Sequence, residues 1–147
     1  VMFRDTPSGS PHIAMVRGTF APTDEVLVRV HEPLSVLDLL DVERGGHSWS
    51  VHRSLEAIAK HGTGVLVMLN CAQDADRLVR HFDALVAGPQ SGAAPRRAAK
   101  MDLRTYGVGA QILRDLGVGR MRLLSSPRRM PSMIGYDLQV VGFESQP

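Results

Sequence analysis

The sequence predicts an α/β fold, a mixed β-sheet flanked by helices. Short β-branched runs alternate along the chain with segments whose apolar residues recur every three or four positions. One of those runs, G-V-L-V-M-L-N at 64–70, carries no charge, as a strand covered on both faces should. The breaks between them hold Gly, Pro, Ser or Asp, the residues that cap helices and make turns.

The opening V-M-F-R-D-T-P-S-G-S-P-H-I-A-M-V-R-G-T-F sets a turn cluster between Phe3 and an apolar stretch at 13–16, predicting two strands joined by a loop. Through 25–31 the side chains alternate, with Val26, Val28 and Val30 on one face and Leu27, Arg29 and His31 on the other. Arg29 and His31 then lie side by side, either lining a cleft or forming a solvated edge. After D-V-E-R-G-G, the residues Val51, Leu55, Ile58 and Ala59 recur at helical spacing and Gly62 is the stop, which predicts a helix begun near Ser48 or Ser50. Beyond the apolar strand, Asp74 can cap a second helix whose Leu78, Phe82 and Leu85 share a face.

Residues 87–101 read as an internal flexible loop of small residues and prolines, with Arg96, Arg97 and Lys100 solvated. Asp102 can cap a helix in which Leu103, Tyr106, Ala110 and Leu113 share a side, with Gly117 as its end. A strand follows at 118–124. The turn S-S-P-R-R at 125–129 offers hydroxyls and guanidinium groups to a phosphate, at the usual ligand position of open α/β sheets. A short helical turn near Met130 and a strand at 136–143 complete the expected elements.

A chain of 147 residues, 44% hydrophobic and 22% charged, suits one core, so a single domain over 1–147 is expected. A net charge of +2 suits an anionic small molecule and is too weak for nucleic acid. The lone Cys71 excludes an internal disulfide, and no stretch reads as a signal peptide or a spanning helix. The expected setting is a reducing cytoplasm with no membrane partner.

The run at 102–124, D-L-R-T-Y-G-V-G-A-Q-I-L-R-D-L-G-V-G-R-M-R-L-L, resembles the terminal helix-strand signature of GTP cyclohydrolase II, a zinc enzyme of riboflavin biosynthesis. V-L-V-R-V-H at 26–31 is similar to that family's V-L-A-R-V-H, and Gly62, Gly64 and V-L-V-M follow in the same register. Val140 and Val141 resemble its closing strand. The opening F-R-D-T-P-S-G-S-P-H-I-A-M-V-R-G resembles the start of this domain when it is fused behind 3,4-dihydroxy-2-butanone 4-phosphate synthase. The resemblance implies a GTP cyclohydrolase II-like three-layer architecture, excision from a longer fusion, the synthase as fused partner, and a homodimer. It also implies a GTP or phosphate-bearing ligand. Arg29 matches the arginine that contacts the nucleotide, and Asp102 with Arg104 matches the D-x-R pair near the α-phosphate, the ancestral catalytic positions. Ser125 and Arg129 stand where the family has T-N-N-P-K-K, a phosphate contact.

In that family three cysteine thiolates hold zinc and leave a fourth position for water, as a catalytic zinc requires. Here those positions fall on Leu34, Gly45 and His47. One ligand cannot retain the metal, and without it the attacking water keeps a pKa far above the value of about 7 that a bound zinc gives it. The expectation is therefore a domain with no zinc, no other cofactor and no GTP hydrolysis, acting as a structural, regulatory or phosphate-binding module. The alternative is an active cyclohydrolase with an unconventional metal site. His31, His47 and His52 share no recognised ligand spacing, and Cys71, at the end of a buried strand, reads as a packed thiol. N-C-A-Q-D at 70–74 replaces the family's R-x-E-G-R, and 81–86 holds no counterpart of its proposed proton-donating tyrosine. Helix capping alone accounts for Asp102. Arg104, a cation at the positive end of a helix dipole, is not explained that way and points to a functional or ancestral role. Arg128 and Arg129 are otherwise ordinary exposed residues.

Overall fold

The computed structural model describes residues 1–33, 35–37, 48–72, 74–87, 103–127 and 132–146. Their elements run β1 (Met2–Arg4), β2 (Pro11–Arg17), β3 (Glu25–His31), α1 (Val51–His61), β4 (Gly64–Met68), α2 (Ala75–Ala87), α3 (Leu103–Asp115), β5 (Arg120–Leu124), a 3-10 turn (Ile134–Tyr136) and β6 (Gln139–Glu144). The strands form one mixed sheet in the order β1-β2-β4-β3-β5-β6. β2 runs antiparallel to both β1 and β4, whereas β3 is parallel to β4 and β5, and β5 to β6.

Alternation along β3 decides which helix covers which face. Val26 and Val28 join Val65, Val67, Ala110 and Leu113 in a core between the sheet and α3. Leu27 joins Leu66, Trp49, Val51, Ile58 and Leu124 in a second core beneath α1. The architecture is thus the expected three-layer α/β arrangement. β3, covered on both faces, has its partners on either side, and its carboxyl end lies at the switch in strand order where such sheets place their sites.

Ser50 caps α1, its hydroxyl accepting from the Arg53 amide at 3.2 Å, and Gly62 ends it in the left-handed region. The buried face of that helix is Val51, Ser54 and Ile58, with Leu55 at the surface. Asp74 caps α2 through the Arg77 amide at 2.6 Å. The Leu78 and Phe82 stripe of α2 is exposed and no residue of this helix is buried. It is held to the exit of β3 by polar contacts, His81 with Ser35 and Arg77 with the Pro33 carbonyl.

Two strand boundaries move inward from those expected. β5 begins at Arg120 rather than 118, because Gly117 and Val118 close α3 by donating to the Arg114 and Leu113 carbonyls at 2.9 and 3.0 Å. β6 begins at Gln139 rather than 136, because Ile134–Tyr136 coil into the 3-10 turn. The turn anticipated near Met130 and the loop beyond Ala87 lie outside the described residues.

Two signature glycines have physical reasons. Gly117 sits at φ 83°, and a Cβ on Gly119 would meet the Pro22 carbonyl oxygen at 2.2 Å. Gly117→Ala is expected to cost about 1–2 kcal/mol from left-handed strain, and Gly119→Ala about 1–3 kcal/mol from backbone displacement. Urea midpoints at unchanged slope would measure both, and a Gly119→Ala protein as stable as wild type would contradict the crowding. No helix among the described residues is long and apolar enough to cross a membrane.

Candidate functional site

His31 ends β3, Asn70 follows β4 and Ser125 follows β5, and the first turn of α3 borders one cavity with Asn70 and another with Ser125. Arg29 comes from the face of β3 that α1 covers and is only 4% exposed. Its Nη1 donates to the Leu124 carbonyl and its Nη2 to the Trp49 carbonyl, both at 2.9 Å, with His31 Nδ1 at 3.5 Å. The strand therefore gives Arg29 and His31 neither a solvated edge nor an open cleft wall. The guanidinium ties the end of β5 to the segment entering α1.

Ser125 is buried, and its hydroxyl donates to the Ser126 carbonyl at 3.2 Å. Arg29 and Ser125 both border a cavity of about 30 Å³, with Thr105 and Tyr106 of α3 opposite. Such a space holds about two waters, so a phosphate entering here requires the walls to part.

Arg104 faces elsewhere. Its Nη2 donates to Asp5 Oδ2 at 3.0 Å, an ion pair in which the Asp5 side chain is the more buried. The carboxylate offsets the cost of a cation in the first helical turn. Both residues line a second, polar cavity of about 190 Å³ with Ser8, Ser10, His12 and Asn70. A wider groove of about 610 Å³ shares Asp5, His12, Arg104 and Val108 and continues along α3. Arg29 and Ser125 thus border one small cavity while the Arg29 guanidinium is engaged on the α1 side of the sheet, and Arg104 borders a different hollow. Asp102, Arg129 and the three expected cysteine positions, Leu34, Gly45 and His47, lie outside the described residues.

The second cavity is built by backbone geometry as much as by side chains. Asn70 follows β4 in the left-handed region, φ 52°, turning its amide onto His12 Nδ1 at 3.0 Å while its side chain donates to Glu32 at 2.8 Å. Ser8 donates to Asp5, and this bond, followed by the Arg104 contacts, holds the Asp5 carboxyl below its usual range against the opposing effect of burial.

Burial pushes the His12 imidazole below its usual value, opposed by the nearby Asp5 and Glu32 carboxylates. For a base depressed on folding, the stabilising contribution is present above the unfolded pKa, about 6.5, and is lost as pH falls through the folded value. Urea stability should therefore decline below about pH 6.5, and His12→Phe should flatten that decline. An unchanged slope in the variant would exclude His12 as its source.

His12 could have been singled out from the alternation His12, Ala14 along β2, but Asp5 and Asn70 are brought to it only by tertiary pairing. Trp49 was also not evident, although its indole donates to the Glu144 carbonyl at 2.7 Å and its ring fills the core under α1.

The described cysteine and histidines are each engaged elsewhere. Cys71 is partly buried, donates to the Met68 carbonyl at 3.4 Å, and has its pKa raised by burial, so it favours the neutral thiol. His52 faces Glu56 at 3.4 Å on the exposed side of α1, and His81 is engaged with Ser35. Among the described residues no three His, Cys, Asp or Glu side chains converge.

The family model described as GTP cyclohydrolase II matches residues 1–145. A protein of Neisseria meningitidis serogroup B named 3,4-dihydroxy-2-butanone 4-phosphate synthase is 39% identical over 143 residues, 97% of this chain and 37% of its own length. A riboflavin biosynthesis protein RibBA of Bacillus cereus is 36% identical over 88% of this chain and 34% of its own. The crystal structure of RibBX, a two-domain 3,4-dihydroxy-2-butanone 4-phosphate synthase from A. baumannii, superposes with a TM-score of 0.52 and 30% identity over 98% of this chain and 34% of that one. The chain spans little more than a third of the length of these relatives. With its matching fold and its near-complete coverage by the family model, the chain belongs to the GTP cyclohydrolase II family.

Proposed function

We propose that this chain is the GTP cyclohydrolase II-like domain of a longer riboflavin-biosynthesis protein, joined to a 3,4-dihydroxy-2-butanone 4-phosphate synthase, and that it neither holds zinc nor hydrolyses GTP. It acts in a reducing cytoplasm as a structural or regulatory support for the synthase, paired as a homodimer, with Arg29, Ser125 and Arg129 as a residual phosphate site. Asp102 and Arg104 keep ancestral positions without the ancestral chemistry. The observation that carries the reading is the thiol count: one cysteine, engaged as a packed group at the end of β4, where three thiolates would be required. Relatives named for the synthase alone, at up to 39% identity, support it. The length those relatives have beyond the matched segment is room for a synthase domain.

Elemental analysis and a formate assay on the purified chain test this together. The expected result is zinc well below one equivalent and no formate from GTP above the uncatalysed rate. One equivalent of zinc with formate release would establish the rival reading, an active cyclohydrolase with an unconventional site.

A further inference from the structure

We propose that the outward face of α2 is where two copies of this chain pair, the two helices running antiparallel about a two-fold axis at Phe82. The proposal rests on the homodimer in the reading above and names the surface that forms it.

The helix meets its own domain along one line. Arg77, His81 and Leu85, spaced four apart, are its half-buried residues, and every other residue of the helix is exposed. Arg77 donates to the Pro33 carbonyl at 3.3 Å and His81 is hydrogen-bonded to Ser35. The apolar stripe lies about a third of a turn round the helix from that line. Its members Leu78, Val79, Phe82 and Val86 are 37%, 56%, 55% and 70% exposed. An amphipathic surface helix ordinarily turns its apolar side to the core. Here polar contacts face the domain and the apolar stripe faces out, which marks an interaction surface.

Charge selects the occupant. Asp76 and Asp83 flank the stripe on the edge away from the domain, with Arg80 behind them. Carboxylates in that position oppose an anionic membrane, which a basic rim would favour. A second copy suits the same edge. A two-fold axis at Phe82 sets that ring against its copy, puts Leu78 opposite the partner's Val86, and turns Asp83 toward the partner's Arg80, each contact made twice by symmetry. The pair of Arg80 with Asp74 is loose, 4.0 Å between exposed side chains, so the guanidinium can turn across. A parallel pair would instead set the acidic edge against the Arg77 and His81 edge, which the domain itself occupies. One helix pair covers less than a standard interface, so the dimer should depend on concentration.

Sedimentation equilibrium over a range of concentrations reads the pairing, and the chain should dimerise reversibly. Phe82→Glu, at an exposed position, should raise the dissociation constant at least about tenfold. Asp83→Arg should weaken the dimer as well, and adding Arg80→Asp to it should restore the affinity. Disulfide trapping in a Cys71→Ser background reads the orientation. Phe82→Cys should link the two copies, whereas Ala75→Cys, about 10 Å from the axis along each helix, should not. A chain that stays monomeric would remove the homodimer and this proposal with it. A dimer unmoved by Phe82→Glu and Asp83→Arg would leave the homodimer standing and overturn its placement on α2, and linkage through Ala75→Cys would overturn the antiparallel arrangement.

Discussion

Arg29→Met is expected to destabilise the domain by about 2–4 kcal/mol, measured as a fall in urea midpoint at unchanged slope. Each of the two hydrogen bonds from the guanidinium to the Leu124 and Trp49 carbonyls is charge-assisted, a class that contributes about 1.5–3 kcal/mol. Met matches much of the stem and removes the desolvation cost of a buried cation, which returns part of that sum. It leaves two buried carbonyls facing a thioether. Arg29→Lys should recover less than half, since one ammonium cannot reproduce a planar fork aimed at two carbonyls. A Met variant within about 0.5 kcal/mol of wild type, the range of ordinary surface substitutions, would show that the tie contributes nothing. The Lys variant also bears on function: if the phosphate reading is right, it should lose stabilisation by phosphate in addition to its own stability deficit.

Arg29 also marks the limit of what the sequence discloses. Alternation correctly assigned it to the face shared with Leu27 and His31. Its burial follows from carbonyls 95 and 20 residues away, which no local pattern encodes. The helices and strands were legible because their apolar periods and caps are local properties: Ser50, Asp74 and Gly117 each stop or start an element by bonds within a few residues. In the family signature Gly117 is local in the same way, demanded by the turn that ends α3, whereas Gly119 is demanded by the close approach of the distant Pro22 carbonyl. The His12 cavity was not, because Asp5, His12, Asn70 and Arg104 come from four places in the chain. The amphipathic stripe of α2 is an intermediate case, in which the period gave the helix but not its exposure. As for Arg104, the dipole argument that made it conspicuous is met by Asp5, a residue 99 positions earlier.

Trp49→Ala is expected to cost about 3–5 kcal/mol, the range for removing a large aromatic from a well-packed core. The side chain is 3% exposed among Leu27, Ile58, Leu66 and Leu124, and its indole N–H reaches the Glu144 carbonyl. Trp49→Phe keeps most of the ring volume and loses that hydrogen bond, so about 1–2 kcal/mol is expected from it. The pair of variants separates packing from tethering: a Phe protein as unstable as the Ala protein would assign the whole effect to the link with the end of β6. Because Arg29 donates to the Trp49 carbonyl, the two residues hold one junction, where β5, β6 and the approach to α1 meet. A double variant, Arg29→Met with Trp49→Ala, should therefore lose less than the sum of the single losses, by about 0.5–3 kcal/mol. Strict additivity would mean that two independent contacts, rather than one shared junction, set the position of Ser125 at the end of β5.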